Sequence, residues 1–288
     1  MLRLRSASFL VILLTSASAA VFAQIPDVNA MMAQVAANQD RAEQLRNQFS
    51  YTQKIRVRAI HSNGKLSREE TCTYSVLPTD KSTKKDLVEF QGRYTNKGQT
   101  VSYSKPGQEI PGRNLDVDAS LLPDLRDDFM NNKHSKDGIA NDLFPLTTQE
   151  QKRYDFKFER EEIYKGRPVY RVSFLPKQHR RHDDEDDTIW AGEALIDKAD
   201  LQPISVITRM AKPLPLLVRT ALGTNLHQLG FSITYQRFDP GVYFPVTYGG
   251  EFDIRAIFFY KRTYTISLEN SAFHRGQADS TITYQSPK

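Results

Sequence analysis

Two places in the chain carry side chains of the kinds that ligate metals or act as nucleophiles. The first is His179-Arg180-Arg181-His182-Asp183-Asp184-Glu185-Asp186-Asp187. Imidazole nitrogens and carboxylate oxygens hold divalent ions, so two histidines beside five carboxylates point to zinc or calcium. The spacing argues otherwise. No glycine follows Asp187, and position 194 is Ala where a calcium loop in that phase needs an acid. Arg180 and Arg181 also repel a cation, so a solvated hairpin with mutually neutralising halves is the plainer reading, and no metal is expected. The second is Cys72, the only cysteine, in Thr71-Cys72-Thr73. A lone cysteine excludes an internal disulfide framework and any multi-cysteine metal site. It reads as a buried strand residue, with an intermolecular disulfide as the alternative. The chain has no G-x-S-x-G elbow, H-E-x-x-H, P-loop or dinucleotide glycine fingerprint. With no nucleophile–base pair to argue, no enzyme activity and no cofactor are expected.

The compartment is set by the first residues. Arg3 and Arg5 precede the apolar run Phe9 to Leu14, then small residues from Thr15 to Ala20 and the sequence Val21-Phe22-Ala23. This pattern predicts a secretory signal peptide over residues 1–23, cleaved before Gln24. Its apolar core is too short to span a membrane, and no cysteine follows for a lipid anchor. The remainder, 24–288, is expected to be one domain with no transmembrane segment, exported to the periplasm or another extracytoplasmic space. The signal peptide takes two arginines and no acids from a formal charge of +5, leaving +3. That excess is too small for a surface built to bind nucleic acid.

The elements that would position any site come next. Asp27 is placed to cap a helix over about 28–47, with Val28, Met31, Met32, Val35, Ala42 and Leu45 on one face and polar residues such as Gln39 and Arg46 between them. From Phe49 the period drops to two: Phe49, Tyr51, Ile55, Val57 and Ala59 alternate with polar residues, as in a strand with one dry face. Further strands are predicted at 66–77, 87–94, 154–164, 168–175, 188–196, 203–210 and around Phe231 to Tyr235. Residues of about 95–153 alternate weakly and read as an inserted cap or lid. Within them Ser120 to Met130 suggests a short helix, with Pro123 in its first turn and Leu121, Leu122, Leu125 and Phe129 on one face. Pro213 to Val218 reads as a short apolar helix that covers the sheet or, as the alternative, presents a hydrophobic patch at its rim.

The C-terminal quarter has the strongest pattern. Residues 228–288 hold 13 of the 30 aromatic residues, which concentrates aromatic surface on one part of the sheet. Phe252, Ile254, Ala256, Phe258, Tyr260, Tyr264, Ile266 and Leu268 all have even numbers. The pattern predicts one very long strand, or two joined by a bulge near Lys261-Arg262 that keeps the phase. The aromatic face is either a core packed on the N-terminal helix or a concave surface with a pocket for an apolar ligand.

Phe49-Ser50-Tyr51-Thr52-Gln53-Lys54, following a signal peptide and an amphipathic helix, resembles the opening of the periplasmic lipoprotein-carrier superfamily, the LolA/LolB-like proteins and the outer-membrane lipoprotein-sorting relatives. Gly192-Glu193-Ala194-Leu195-Ile196-Asp197-Lys198-Ala199-Asp200-Leu201-Gln202-Pro203 is similar to that superfamily's strand–turn–strand. Tyr235 to Pro245 is similar to a hairpin of the sorting proteins. The superfamily's Arg-Pro element after its second strand has no counterpart in Arg68 to Pro78, and no ligand-gating arginine is carried over. The resemblance implies an unclosed antiparallel barrel wrapped around helices, with an apolar concave face that accepts acyl chains.

The expected fold is therefore α+β: a strongly curved antiparallel sheet, a half-barrel, with an N-terminal helix and short helices on its concave face. The expected function is non-catalytic binding or carriage of a lipid or lipoprotein acyl chain in the cell envelope. Its groove would be lined by Trp190, Phe231, Ile233, Tyr235, Phe252, Ile254, Phe258, Tyr264 and Ile266, under a lid of Leu121, Leu125 and Phe129. The partner is then a lipid or acylated protein. The alternative is a scaffold or sensor module that binds an envelope protein and has its groove plugged by its own helices.

Overall fold

A computed structural model describes residues 27–78, 83–111, 116–131, 144–177, 190–211, 227–256 and 260–276. The signal segment, the His179–Asp187 run, Pro213–Val218 and Phe258 lie outside the described residues.

The first helix, α1 (Val28–Arg46), begins where the capping residue is: the Asp27 carboxylate accepts the N–H groups of Asn29 and Ala30 at 3.0 and 3.2 Å. Met31, Met32, Val35, Ala36 and Ala42 are buried on one face. Gln39 and Arg46, whose polarity suggested the wet side, are buried on that face too. Each has a partner: Gln39 donates to the Gln202 side chain at 2.5 Å and Arg46 to the Tyr243 carbonyl at 3.1 Å. A buried polar group is tolerated when it is bonded.

Among the described residues eleven strands follow: β1 (Phe49–His61), β2 (Leu66–Pro78), β3 (Thr83–Asn96), β4 (Gln99–Tyr103), β5 (Tyr154–Tyr164), β6 (Arg167–Pro176), β7 (Trp190–Asp197), β8 (Pro203–Met210), β9 (His227–Asp239), β10 (Val242–Ala256) and β11 (Tyr260–Arg275). Among the described residues two helices lie between β4 and β5, α2 (Val117–Asn131) and the single turn α3 (Thr148–Gln151). All the strands form one antiparallel sheet in the order β4-β3-β2-β1-β11-β10-β9-β8-β7-β6-β5. The sheet is open, with β4 and β5 at its two edges. Helix α1 packs against both β10 and the far edge strand β5, and one buried core joins Ile55 and Cys72 of β1 and β2 to Tyr154 and Phe174 of β5 and β6 from the other half of the sheet. The sheet therefore curls around α1, as the expected α+β half-barrel requires.

This topology explains where α2 lies. The chain leaves one edge of the sheet at β4 and re-enters at the other edge as β5, so the connection must cross a face. It crosses the inner one, where α2 packs on β1 and β2.

The in-phase run from Phe252 to Leu268 is two strands rather than one. β10 and β11 pair antiparallel with Phe252 opposite Tyr264 and Ala256 opposite Tyr260. Even positions meet even positions across this hairpin, so the alternation continues through the turn and period alone does not reveal it. Helix α2 also differs from expectation, starting three residues before Ser120. Pro123 thus lies beyond the first turn and withholds the N–H that would pair with the Ala119 carbonyl. The loop before α2 closes on this spot: Gly107, at φ 67°, has no Cβ, and one placed there would stand 3.2 Å from the Ala119 oxygen.

Three glycines on the inner face lie directly opposite an aromatic ring on the next strand: Gly92 and Tyr103, Gly192 and Phe174, Gly250 and Phe231. In each pair the ring covers the glycine so closely that a Cβ would strike it. Such cover restores the packing that a strand glycine otherwise loses.

Candidate functional site

One apolar core runs along the inner face, joining Ile55, Val57 and Cys72 from one half of the sheet to Trp190, Phe231, Ile233, Tyr264 and Ile266 from the other, with Met31, Met32 and Val35 of α1 and Leu122 of α2 against them. Its aromatic centre is compact. The Phe231 ring meets Trp190 edge-on at 5.4 Å and stacks on Tyr248 at 5.6 Å, and Phe144 closes on Tyr248 at 6.0 Å.

Toward β2–β4 the same face becomes polar while staying buried. Arg68 is 1% exposed and pairs with Asp116 at 2.7 Å. It also donates to the Gln108 carbonyl at 2.8 Å, and its guanidinium lies over the rings of Tyr103 and Tyr94 at 4.9 and 5.3 Å. Glu70 accepts from the Tyr103 hydroxyl at 2.8 Å and the Gly107 N–H at 2.9 Å, and pairs with Arg126 of α2 at 3.6 Å. Asp118, in the first turn of α2, accepts from Ser67 of β2 and from Tyr260, Tyr264 and Arg262 of β11. Three arginines thus meet three carboxylates, and nearly every bond joins the sheet to α2 or to the loop before it.

Burial alone would raise the Asp118 pKa. The hydrogen bonds from Ser67, Tyr260 and Tyr264 and the charge of Arg262 outweigh it and hold the carboxyl below its ordinary range. Burial and the adjacent Asp118 charge push both tyrosines well above theirs, so they remain donors at any physiological pH.

Cys72 is the buried strand residue expected, 1% exposed, with Arg126 Nη1 3.6 Å from its sulfur. Burial raises its pKa despite the nearby Arg126 charge. A protonated, enclosed thiol reacts poorly. Cys72 in the folded protein is therefore expected to resist a thiol-specific chromogenic reagent and to react at once in denaturant, which a kinetic assay at neutral pH would check.

The structure gathers five of the expected groove residues into the buried core: Trp190, Phe231, Ile233, Tyr264 and Ile266. Tyr235, Leu121 and Leu125 are partly buried against it. Phe252 and Ile254 lie in β10 and Phe129 in α2; their side chains, like Phe258, are outside the described residues. Of the face expected for α2, Leu122 is buried and Leu121 and Leu125 pack against the core, and among the described residues Asp118, Ala119 and Arg126 are buried with them. Arg68, Glu70, Asp116, Asp118, Arg126 and Arg262 were not among the site residues expected from the sequence. Tyr248 and Phe144 were also missed. For Arg262 a signal existed, as the one charged residue at an even position in the apolar run from Phe252 to Leu268. Among the described residues there is no cluster of metal-ligating side chains and no helix long and apolar enough to cross a membrane.

No family model matches the sequence, and no curated protein matches it either. Solved structures do match. A domain described as an outer membrane lipoprotein-sorting protein, from Vibrio parahaemolyticus, is 10% identical with a TM-score of 0.35, covering 88% of this chain and 95% of its own. A DUF1329 family protein from Desulfovibrio piger is 10% identical with a TM-score of 0.36, covering 90% and 96%. A LolA superfamily protein from Nitrosomonas europaea is 12% identical with a TM-score of 0.33, covering 86% and 96%.

Proposed function

We propose that this is an exported, non-catalytic binding protein for the acyl chain of a lipid or lipoprotein, taken up on the inner face of the sheet beneath α2. One observation carries the reading: α2 covers an apolar part of the inner face, at Ile55, Val57 and Cys72 of β1 and β2, yet is fastened there mainly through polar groups. Leu122 is its one fully buried large apolar side chain among the described residues. Lifting α2 would return charges and hydroxyls to water, where they are solvated again, and would expose apolar surface that an acyl chain can cover.

The magnitudes permit such an exchange. Each buried methylene contributes about 0.8 kcal/mol, so ten contribute roughly 8 kcal/mol. The ~3–5 kcal/mol cost of a broken buried pair arises when one charge stays buried without its partner, whereas lifting α2 hydrates both members of each pair. Lifting α2 would open the inner face at β1 and β2, and an acyl chain entering there would run past Tyr264 and Ile266 of β11 toward Trp190, Phe231, Ile233, Tyr235, Phe252, Ile254 and Phe258 farther along the sheet, while Leu121, Leu125 and Phe129 would move with α2. The site of action is the periplasm or an equivalent space, and the partner is a lipid or an acylated protein.

Mass spectrometry of protein purified under native conditions tests this, together with titration by a fluorescent fatty acid. The expected result is co-purified lipid, or saturable fatty-acid binding that quenches the single Trp190. Ligand-free protein that also ignores the probe would overturn the reading in favour of an interaction module plugged by its own helices.

A further inference from the structure

The outer face of the sheet holds a second feature, on the opposite side from α2. A groove of about 450 Å³ lies over β1–β4, with Lys54, Arg56, Glu69, Thr71, Arg93 and Ser102 among its lining residues. It has three cations and one carboxylate, and that carboxylate is already shared: Glu69 accepts Arg58 at 3.2 Å and Arg93 at 2.9 Å. The positive excess is built into the strand. Lys54, Arg56 and Arg58 occupy alternate positions of β1 and so follow one another along a single face. Arg56 is the telling member. It stands between Thr71 on β2 and Ser267 on β11, with no carboxylate opposite it on either side. Lys54 and Arg56 are both exposed. Lys54 lies opposite Glu269 and Arg58 pairs with Glu69, so Arg56 is the one cation of this row with no carboxylate in register, and a bound anion would supply its counter-charge.

We propose that this groove binds a phosphate-bearing group, with the guanidinium of Arg56 as its principal ligand and Lys54 and Arg93 completing the positive wall. Guanidinium groups match phosphate oxygens through paired hydrogen bonds, and the hydroxyls of Thr71 and Ser102 add neutral donors. Two excess positive charges suit a phosphate ester, which carries about −1.5 to −2 at neutral pH. The groove is larger than a phosphate ion and falls in the size range of small-molecule sites, so it has room for the attached polyol or sugar. That chemistry is shared by a soluble phosphorylated metabolite and by the headgroup of an anionic lipid. The inner face plays no part in the argument, so the outcome does not depend on whether lipid is carried there.

The full mature chain would be titrated calorimetrically with glycerol 3-phosphate. In parallel it would be sedimented with vesicles of phosphatidylglycerol and phosphatidylcholine in equal parts, or of phosphatidylcholine alone. Arg56→Gln and the Lys54→Gln/Arg56→Gln pair would be compared with Lys157→Gln, which removes the same charge from β5. All three sites are exposed, and unchanged denaturation midpoints would confirm intact folds. Binding of glycerol 3-phosphate that weakens about tenfold or more in the double variant, but not in Lys157→Gln, supports a site for soluble ligands. Binding confined to anionic vesicles with the same dependence assigns the site to a lipid headgroup. If the native chain binds neither probe, or the double variant binds as well as it does, the proposal is overturned.

Discussion

Asp118→Ala is expected to release the N-terminal end of α2 from the sheet while the strands stay paired. The carboxylate gathers donors from β2 and from β11, which flank β1 on either side, so one side chain fastens the helix across three strands. Its removal leaves Arg262, whose side chain is 14% exposed, without this counter-charge, and leaves the Ser67, Tyr260 and Tyr264 hydroxyls short of an acceptor. Deleting one partner of such a contact costs ~3–5 kcal/mol. Hydrogen exchange resolved by segment is the suitable measurement, with faster exchange in α2 and in the loop before it expected, and little change in β7–β10. Uniform acceleration throughout the chain would mean that α2 is part of the global core, and would count against its role as a cover. Acid should imitate the substitution. The Asp118 pKa is lowered on folding, so its stabilisation is complete above the unfolded value of about 3.9 and disappears as pH falls through the lower folded one. Release of α2 by this route is therefore expected only below about pH 4.

Gly192→Val is expected to have a still larger effect, loss of the folded sheet. A Cβ at this position would collide with the Ile207 carbonyl oxygen and stand 2.7 Å from Phe174 Cζ. A ring can swing aside, but the oxygen belongs to the backbone of β8, the strand paired with β7. Relief therefore requires separating two central strands next to Trp190, at a cost above the ~1–3 kcal/mol typical of overpacking. Soluble yield and the urea midpoint would report it. Gly276→Ala serves as the control, because its nearest neighbour would lie at 3.5 Å, an ordinary contact. A change within about 0.5 kcal/mol is expected there. A Gly192→Val protein with a native midpoint would show that the β7–β8 pairing is looser than described.

Much of this architecture could be read before the structure, and its failures share a cause. Helix α1, its Asp27 cap and strands β5 and β8 fall where periodicity and capping chemistry place them, because those signals are local. The hairpin between β10 and β11 did not, since its register keeps even positions facing even positions. The candidate site divides in the same way. Trp190, Phe231 and Tyr264 announce themselves as aromatic residues on a dry strand face. Arg68, Glu70 and Asp118 look like ordinary surface charges until their partners, from 33 to 146 positions away, are brought opposite. A charge is legible as buried only when its counter-charge is known to be near, and single-sequence patterning carries no such long-range information.

The order of strands also dictates how the chain can mature. The sheet's central seam joins β1 to β11, with Ser50 bonding to His274 across 224 positions. Each side of the seam is a run of neighbouring hairpins that can form early, whereas the seam must wait until the last strand exists. Loop closure over such a distance makes late, slow completion the expected course. Until then both flanking strands present unpaired edges and apolar faces, the conditions under which chains aggregate or recruit chaperones. Closure across the seam therefore waits for β11, however early the hairpins on either side of it form.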